Sequence, residues 1–425
     1  MERITRPETL EILSCMGIEL PRTTRLPDDV LDKRLRDALN YSQHKSGLPP
    51  SLDPERLPRW PQGRPLFKML RKVDLAEVRE IENAERAGGV YERELFQDVF
   101  WDLGQTMMAI GKALDSGRTW CVVQDSEQTL AVLLRFLCVV CVDSDTPGVV
   151  LTYWAINNET GAEGADWICM QMRRDVGVTE IKATVLEMKL LLKVLAMNAR
   201  LLPPEYKPPK DPLEKHFKLS VLFPLAPLSF DVLGKLNSDV GCALCGKRQA
   251  SRCSQCHSVS YCGAGTSSLP CQKADWPSHK QTCRSLKGGH WVTIPFRMSF
   301  PGEPNNTILS YHSDIPTILD EFNYTLRKAL GAENGPPPNI HGEKTFLVKL
   351  QAPEGAFLIY DRRKSFHSVF FWREDDPTIY DQCIAEIRGP RIVYGGRKMY
   401  RWARRTGDFQ LSVCLDREPN TVIKW

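Results

Sequence analysis

CALCGKRQASRCSQCHSVSYCGAGTSSLPCQKADWPSHKQTC, residues 242–283, is the stretch on which the reading of this chain turns. It contains Cys242-x2-Cys245-x7-Cys253-x2-Cys256-x5-Cys262-x8-Cys271-x7-His279-x3-Cys283, eight sulfur or imidazole donors that complete two tetrahedral zinc sites with none left over. A CxxC pair forms a tight knuckle whose two thiolates face one ion, and His279 and Cys283, four residues apart, share one face of a helix. Packing as plain apolar cysteines would need apolar neighbours, yet the intervening residues are mostly Gly, Lys, Arg, Gln and Ser. Both sites are closed, with no position open for water, so Zn2+ (two ions) serves folding rather than catalysis. Spacing alone leaves open whether the ligand pairs are used sequentially or interleaved. His257 follows a knuckle, but the ligand count is full without it.

Outward from this stretch, 425 residues exceed what one hydrophobic core usually serves, so two or three domains are expected. With 42% apolar and 25% charged residues the chain falls in the ordinary globular class. A formal charge of +4 spread over this length argues for neither nucleic acid nor membrane. The start, MERITRPETLEIL, has no apolar h-region, and the longest apolar run, residues 130–142, contains Arg135 and is shorter than a membrane span. That run reads as a buried helix. Half of the 14 cysteines crowd into residues 242–283, which suits metal in a reducing compartment and places the chain in the nucleus or cytoplasm. The sequons at Asn158, Asn305 and Asn323 then carry no sugar. Cys138 and Cys141 lie in the apolar run and read as core, as do the isolated Cys15, Cys121, Cys169, Cys383 and Cys414.

The predicted organisation is multidomain α+β. Residues 1–202 read as an α-helical domain, with helices at 27–41, 75–87, 92–114 and, most strongly periodic, 180–202. The segment LLPPEYKPPKDP, 201–212, has five prolines in twelve residues, so 203–241 reads as a Pro-rich linker and lead-in. The finger occupies 242–286. Residues 287–425 read as an α+β domain, with strands in KTFLVKLQ, AFLIYDRR, SVFFWRE and FQLSVCLD and helices at 316–329 and 378–387.

The two knuckles, then Tyr261-Cys262, then Cys271-Gln272-Lys273-Ala274-Asp275-Trp276-x2-His279-Lys280-x2-Cys283, resemble the MYND finger over about a tenth of the chain. The resemblance implies interleaved ligation, with Cys242, Cys245, Cys262 and Cys271 on one zinc and Cys253, Cys256, His279 and Cys283 on the other. One departure is an eight-residue spacing between Cys262 and Cys271 where the family usually has three; a Gly/Ser-rich loop there costs little entropy. The resemblance further implies a protein-interaction module for proline-containing peptides, with Tyr261, Gln272 and Trp276 as the partner surface. Trp276 offers an aromatic wall to a pre-extended proline segment and Gln272 a hydrogen bond to its backbone. Trp276 also suits the finger's own small core.

Two other readings compete with this one. A SET-and-MYND lysine methyltransferase would carry Asn-His-Ser after the finger, a Gly-rich cofactor segment before it and a cysteine cluster near the C-terminus. Here stand Asn305-Asn306-Thr307, no such glycine segment, and only Cys383 and Cys414. No Walker loop, dinucleotide fingerprint, nucleophile elbow or HExxH is present, so the chain reads as not an enzyme. Between 388 and 405, Arg388, Arg391, Arg397, Lys398, Arg401, Arg404 and Arg405 alternate with Tyr394, Tyr400 and Trp402, a pattern that suits polyanion or nucleic-acid binding, although solvated strand faces paired with nearby acids are the commoner origin of such a run. Within the finger, five cations against Asp275 and a zinc–thiolate core of net −3 leave about +1, too little for a phosphate-binding module.

Overall fold

A long apolar run fits either a buried helix or a strand covered on both faces, and residues 130–142 take the second form. A computed structural model describes residues 3–18, 20, 24–44, 48–72, 98–127, 129–157, 178–210, 212–237, 241–247, 250–256, 258–262, 270–298, 335–342, 344–352, 356–361, 365–366, 369–389 and 398–419. The chain divides into two compact units, Met1–Ile18 with Asp28–Ser229, and Glu19–Pro27 with Phe230–Trp425.

The first unit corrects the expectation of an all-helical N-terminal domain. It holds a five-stranded sheet of β1 (Trp120–Gln124), β2 (Leu130–Asp143), β3 (Thr146–Asn157), β4 (Thr179–Lys182) and β5 (Lys218–Leu222), in the order β4-β1-β2-β3-β5. β2 runs antiparallel to both β1 and β3, so its backbone is satisfied on two sides. Val132, Leu133 and Leu134 are all fully buried, which is why the strand shows no polar alternation. Arg135, the one charge in that run, pairs with the buried Glu214, which also accepts from Thr152 Oγ1 at 3.1 Å. In a strand, Cys138 and Cys141 are three apart and do not share a helical face; Cys138 pairs with Val150 and Cys141 with Pro147. The proline-rich stretch at 201–212 leads directly into β5, which pairs with β3.

Among the described residues five α-helices accompany this sheet: Arg6–Cys15, Asp28–Gln43, the single turn Leu66–Met69, Val99–Asp115 and Val185–Asn198. The last is the strongly periodic segment, shortened at its start by β4. Thr184 caps it reciprocally with Glu187: Thr184 Oγ1 accepts from the Glu187 amide at 3.1 Å, and Glu187 Oε2 accepts from the Thr184 amide at 3.3 Å. Met188, Leu190, Val194 and Leu195 of this helix are fully buried. The helix expected at 75–87 lies outside the described residues, as does Cys169. Cys121 is buried and Cys15 is partly exposed.

The second unit contains the finger and the expected α+β domain. Six antiparallel strands, β8 (Trp291–Pro295), β9 (Phe346–Gln351), β10 (Ala356–Asp361), β11 (Val369–Trp372), β12 (Lys398–Gly407) and β13 (Gln410–Cys414), are ordered β11-β10-β9-β12-β13-β8. The helix Pro377–Arg388 starts on an Asp376 cap, whose carboxylate accepts from the Ile379 amide at 3.0 Å, and buries Tyr380, Cys383 and Ile387 in the same core as Phe357 and Phe371. The helix expected at 316–329 lies outside the described residues. Among the described residues no helix is long and apolar enough to cross a membrane.

Glu187 is 2% exposed, and burial, with the nearby Asp102 charge, pushes its carboxyl from the ordinary 4.5 up to about 7 against the hydrogen bonds from Thr106 and Thr184. A raised carboxyl binds its proton more tightly in the folded state, so its stabilisation is intact below about pH 4.5 and declines as the pH rises to 7, by about 3 kcal/mol in all. Glu187→Gln is expected to flatten this slope and to be the more stable form at pH 8, as measured by urea unfolding between pH 4.5 and 8.

Candidate metal centre

The finger is built from two knuckles, a short hairpin and one helix. In the first knuckle the Gly246 amide donates to the Cys242 carbonyl at 2.8 Å, and Gly246 sits at φ +72°, the left-handed region that favours glycine. In the second, the Cys253 amide donates to Val259 O at 2.7 Å. Between them β6 (Ala250–Arg252) pairs with β7 (Ser260–Cys262), placing Tyr261 opposite Ser251. The helix Pro270–Leu286 follows.

That helix carries two rows at four-residue spacing. Cys271, Asp275, His279 and Cys283 are all buried, while Gln272 is half-buried and Trp276 is 38% exposed. The inner row supplies three of the expected ligands, since residues four apart lie one above another on a helix.

The fold gathers the eight donors into two groups: Cys242, Cys245, Cys262 and Cys271 in one, and Cys253, Cys256, His279 and Cys283 in the other. Within each group the ligand atoms lie within 4.8 Å of one another. This is the interleaved arrangement, which spacing alone left undecided. Four ligands about 2.3 Å from one zinc would stand roughly 3.8 Å apart at tetrahedral angles. The Sγ separations are 3.4 Å for Cys245–Cys262, 3.5 Å for Cys262–Cys271 and 3.8 Å for Cys253–Cys283, and Cys256 Sγ lies 3.3 Å from His279 Nε2. The two groups fit two zinc ions, one held by sulfur alone and the other by three sulfurs and an imidazole.

Electrostatics favours a cation at each. Burial resists ionisation of Cys242, but the amides of Cys245, Cys262 and Leu244 hold it down at about 7. Cys271 is pushed up by burial and by hydrogen bonds with Cys262 and Cys245. At the other group Cys253 is lowered, by the amides of Cys256 and Gln255 against its burial, while burial and the Cys256 and Cys253 charges push Cys283 up to about 12. Burial also lowers His279, keeping the imidazole neutral and available as a ligand. Each group therefore holds one thiol that ionises readily and at least one that resists, a resistance that a dication removes.

Tyr261 requires a correction as a partner-surface residue. It is 2% exposed, its hydroxyl donates to Asp275 Oδ2 at 2.5 Å, and its ring meets His279 edge-on at 6.0 Å. The residue behind a knuckle is part of the finger's interior, and its phenol is already committed. Gln272 and Trp276 are outward, and the Trp276 ring also meets His279 edge-on, at 6.2 Å. His257 and residues 263–269 of the enlarged spacing lie outside the described residues.

Beneath the finger, its core of Leu244, Tyr261, Leu286 and the cysteines is continuous with the buried Cys414 of β13, with Trp291 and Trp402 packed against it. Arg404 of β12 lies over the Trp291 ring at 3.9 Å. Burial lowers its guanidinium, with Arg252 of the finger adding to the effect and the Cys256 thiol opposing it. Arg401 is 5% exposed and donates to Tyr400 O at 2.9 Å and to Leu415 O, while Arg405 donates to Gly407 O at 2.6 Å. The cations of the basic-aromatic stretch at 401, 404 and 405 are thus engaged within the domain; Arg391, Tyr394 and Arg397 lie outside the described residues. Sequence reading missed β8 and β12, and with them the sheet residues that seat the finger.

Comparison with known proteins agrees with this geometry. The MYND finger family matches residues 242–283. The human histone-lysine N-methyltransferase SMYD3 is 42% identical over 69 residues, 16% of this chain and 15% of that protein. No solved structure matches the chain.

Cobalt substitution should report the two sites separately. Cys271→Ser is expected to alter only the all-sulfur site and Cys283→Ser only the mixed one, with metal content near one ion per chain in each variant and near two in the wild type, as read by absorption and elemental analysis. Sequential pairing would give other combinations.

Proposed function

We propose that the MYND finger of this chain is a zinc-dependent protein-interaction module that takes proline-containing peptides along the Gln272–Trp276 row. Cys242, Cys245, Cys262 and Cys271 hold one zinc in this reading, and Cys253, Cys256, His279 and Cys283 the other. When bound, zinc supplies the folding free energy that a segment of this size cannot draw from a core of its own. The carrying observation is the division of labour on one helix: the row facing the ligands is buried, while the neighbouring row presents a half-buried amide and a tryptophan 38% exposed. An aromatic wall beside an amide suits an extended proline segment, whose restricted backbone loses little entropy on binding. MYND fingers in general mediate protein–protein interaction, which supports the coarser part of this reading.

The chain is read as a binding protein rather than an enzyme. The methyltransferase named above is matched over only 15% of its own length, in the finger region, and a zinc site closed by four protein ligands has no position for a substrate.

Trp276→Ala is expected to abolish capture of proline-rich peptides with both zinc ions retained. Gln272→Ala, whose effect on stability should be about 0.5 kcal/mol, should weaken it in the same direction. Isothermal titration with zinc content measured in parallel checks this. If no proline-rich peptide binds the wild type more tightly than about 1 mM, the module reading fails.

A further inference from the structure

Leu244 is the third residue of the first knuckle, and the peptide unit joining it to Cys245 faces two ways. Its nitrogen belongs to Cys245, one of the four donors of the all-sulfur group. Its C=O receives two donors from a segment some 220 residues away in sequence: Thr24 Oγ1 at 3.0 Å and the Arg25 amide. The Leu26 amide in turn donates to Thr24 Oγ1 at 3.4 Å. Burial alternates along this segment, with Thr24 and Leu26 inward at 4% and 6% exposed and Arg25 and Pro27 exposed. Leu26 occupies the space over Gly246: a Cβ there would lie 2.5 Å from Leu26 Cδ2. Residues 24–26 thus make specific contacts with the knuckle that carries two of the four donors of the all-sulfur site.

We propose that residues 24–26 are a resident peptide strap of the finger that tightens zinc at the Cys242–Cys245–Cys262–Cys271 site, and that zinc at this site in turn holds the strap. Two donors on the Leu244 carbonyl fix the peptide unit from which Cys245 projects, and Leu26 covers the turn at Gly246, so the strap holds the knuckle in the geometry that presents Cys242 and Cys245 to one ion. Outer groups that orient metal ligands in this way are commonly worth roughly tenfold or more in metal affinity. Linkage makes the effect reciprocal: the factor by which the strap tightens the metal is the factor by which the metal secures the strap. Thr24 and Leu26 are positioning residues; neither belongs to a donor group. The inference rests on the assignment of these four cysteines as zinc ligands.

The test uses the full chain. Wild-type metal content comes first: a chain that does not hold two zinc ions refutes the zinc assignment itself. With two ions present, chelator competition is expected to show the all-sulfur site weakened about tenfold or more in Thr24→Val and in Leu26→Ala, the mixed site unchanged, and Thr24→Ser, which keeps the hydroxyl, close to wild type. Trypsin supplies a second readout, because Arg25 is exposed and its bond to Leu26 lies within the strap. Cleavage there should accelerate at least tenfold in Cys245→Ser or after chelation, and in Leu26→Ala with zinc still bound. Equal weakening of both metal sites, unchanged affinity in the two strap variants, or a cleavage rate at Arg25 indifferent to zinc would each overturn the proposal.

Discussion

Four thiols held within 4.8 Å of one another cannot all ionise in the absence of a cation, and the finger depends on meeting that constraint. The knuckle amides go part of the way by lowering one thiol in each group, while Cys271 in one and Cys283 in the other are raised by burial and by their neighbours. A dication at each site turns this mutual repulsion into attraction. The hairpin β6–β7, the Tyr261–Asp275 bond and the orientation of the Pro270–Leu286 helix all converge on the two sites. The outward aim of Trp276 is therefore set by the ligands, because a helix pinned at Cys271, His279 and Cys283 has no freedom to rotate.

The same constraint extends into the neighbouring sheet. Trp291, Trp402 and Cys414 pack against the finger's core, and Arg404 lies over the Trp291 ring. A charge-rich strand that resembles a polyanion surface when read alone commits Arg401, Arg404 and Arg405 to backbone carbonyls and aromatic faces within its own domain.

What was legible in the sequence follows from what kind of rule governed each part. The eight donors were readable one by one, since metal chemistry fixes residue type and spacing together, and their pairing came from the family resemblance. The strands β9, β10, β11 and β13 and the helix Pro377–Arg388 were readable from apolar alternation, aromatic runs and turn residues. β2 was misread because burial on both faces erases the period that distinguishes strand from helix, and its length favoured the wrong choice. β12 was missed because what accommodates its arginines is not adjacent in sequence: the Leu415 carbonyl for Arg401, the Trp291 ring for Arg404 and the Phe296 ring for Arg405. The Tyr261 assignment failed for a similar reason: its hydroxyl is claimed by Asp275, fourteen residues on.

The bond from Thr24 to the Leu244 carbonyl spans 220 residues. Closing a loop of that size costs about 5 kcal/mol of chain entropy, a sum that local contacts at either end must offset before the contact forms. On a ribosome adding roughly 5–20 residues per second, the amino-terminal segment emerges about ten seconds or more before the knuckle that receives it. During that interval Thr24 and Leu26 lack their seat on the knuckle. Completion of this contact is thereby timed by translation of the finger.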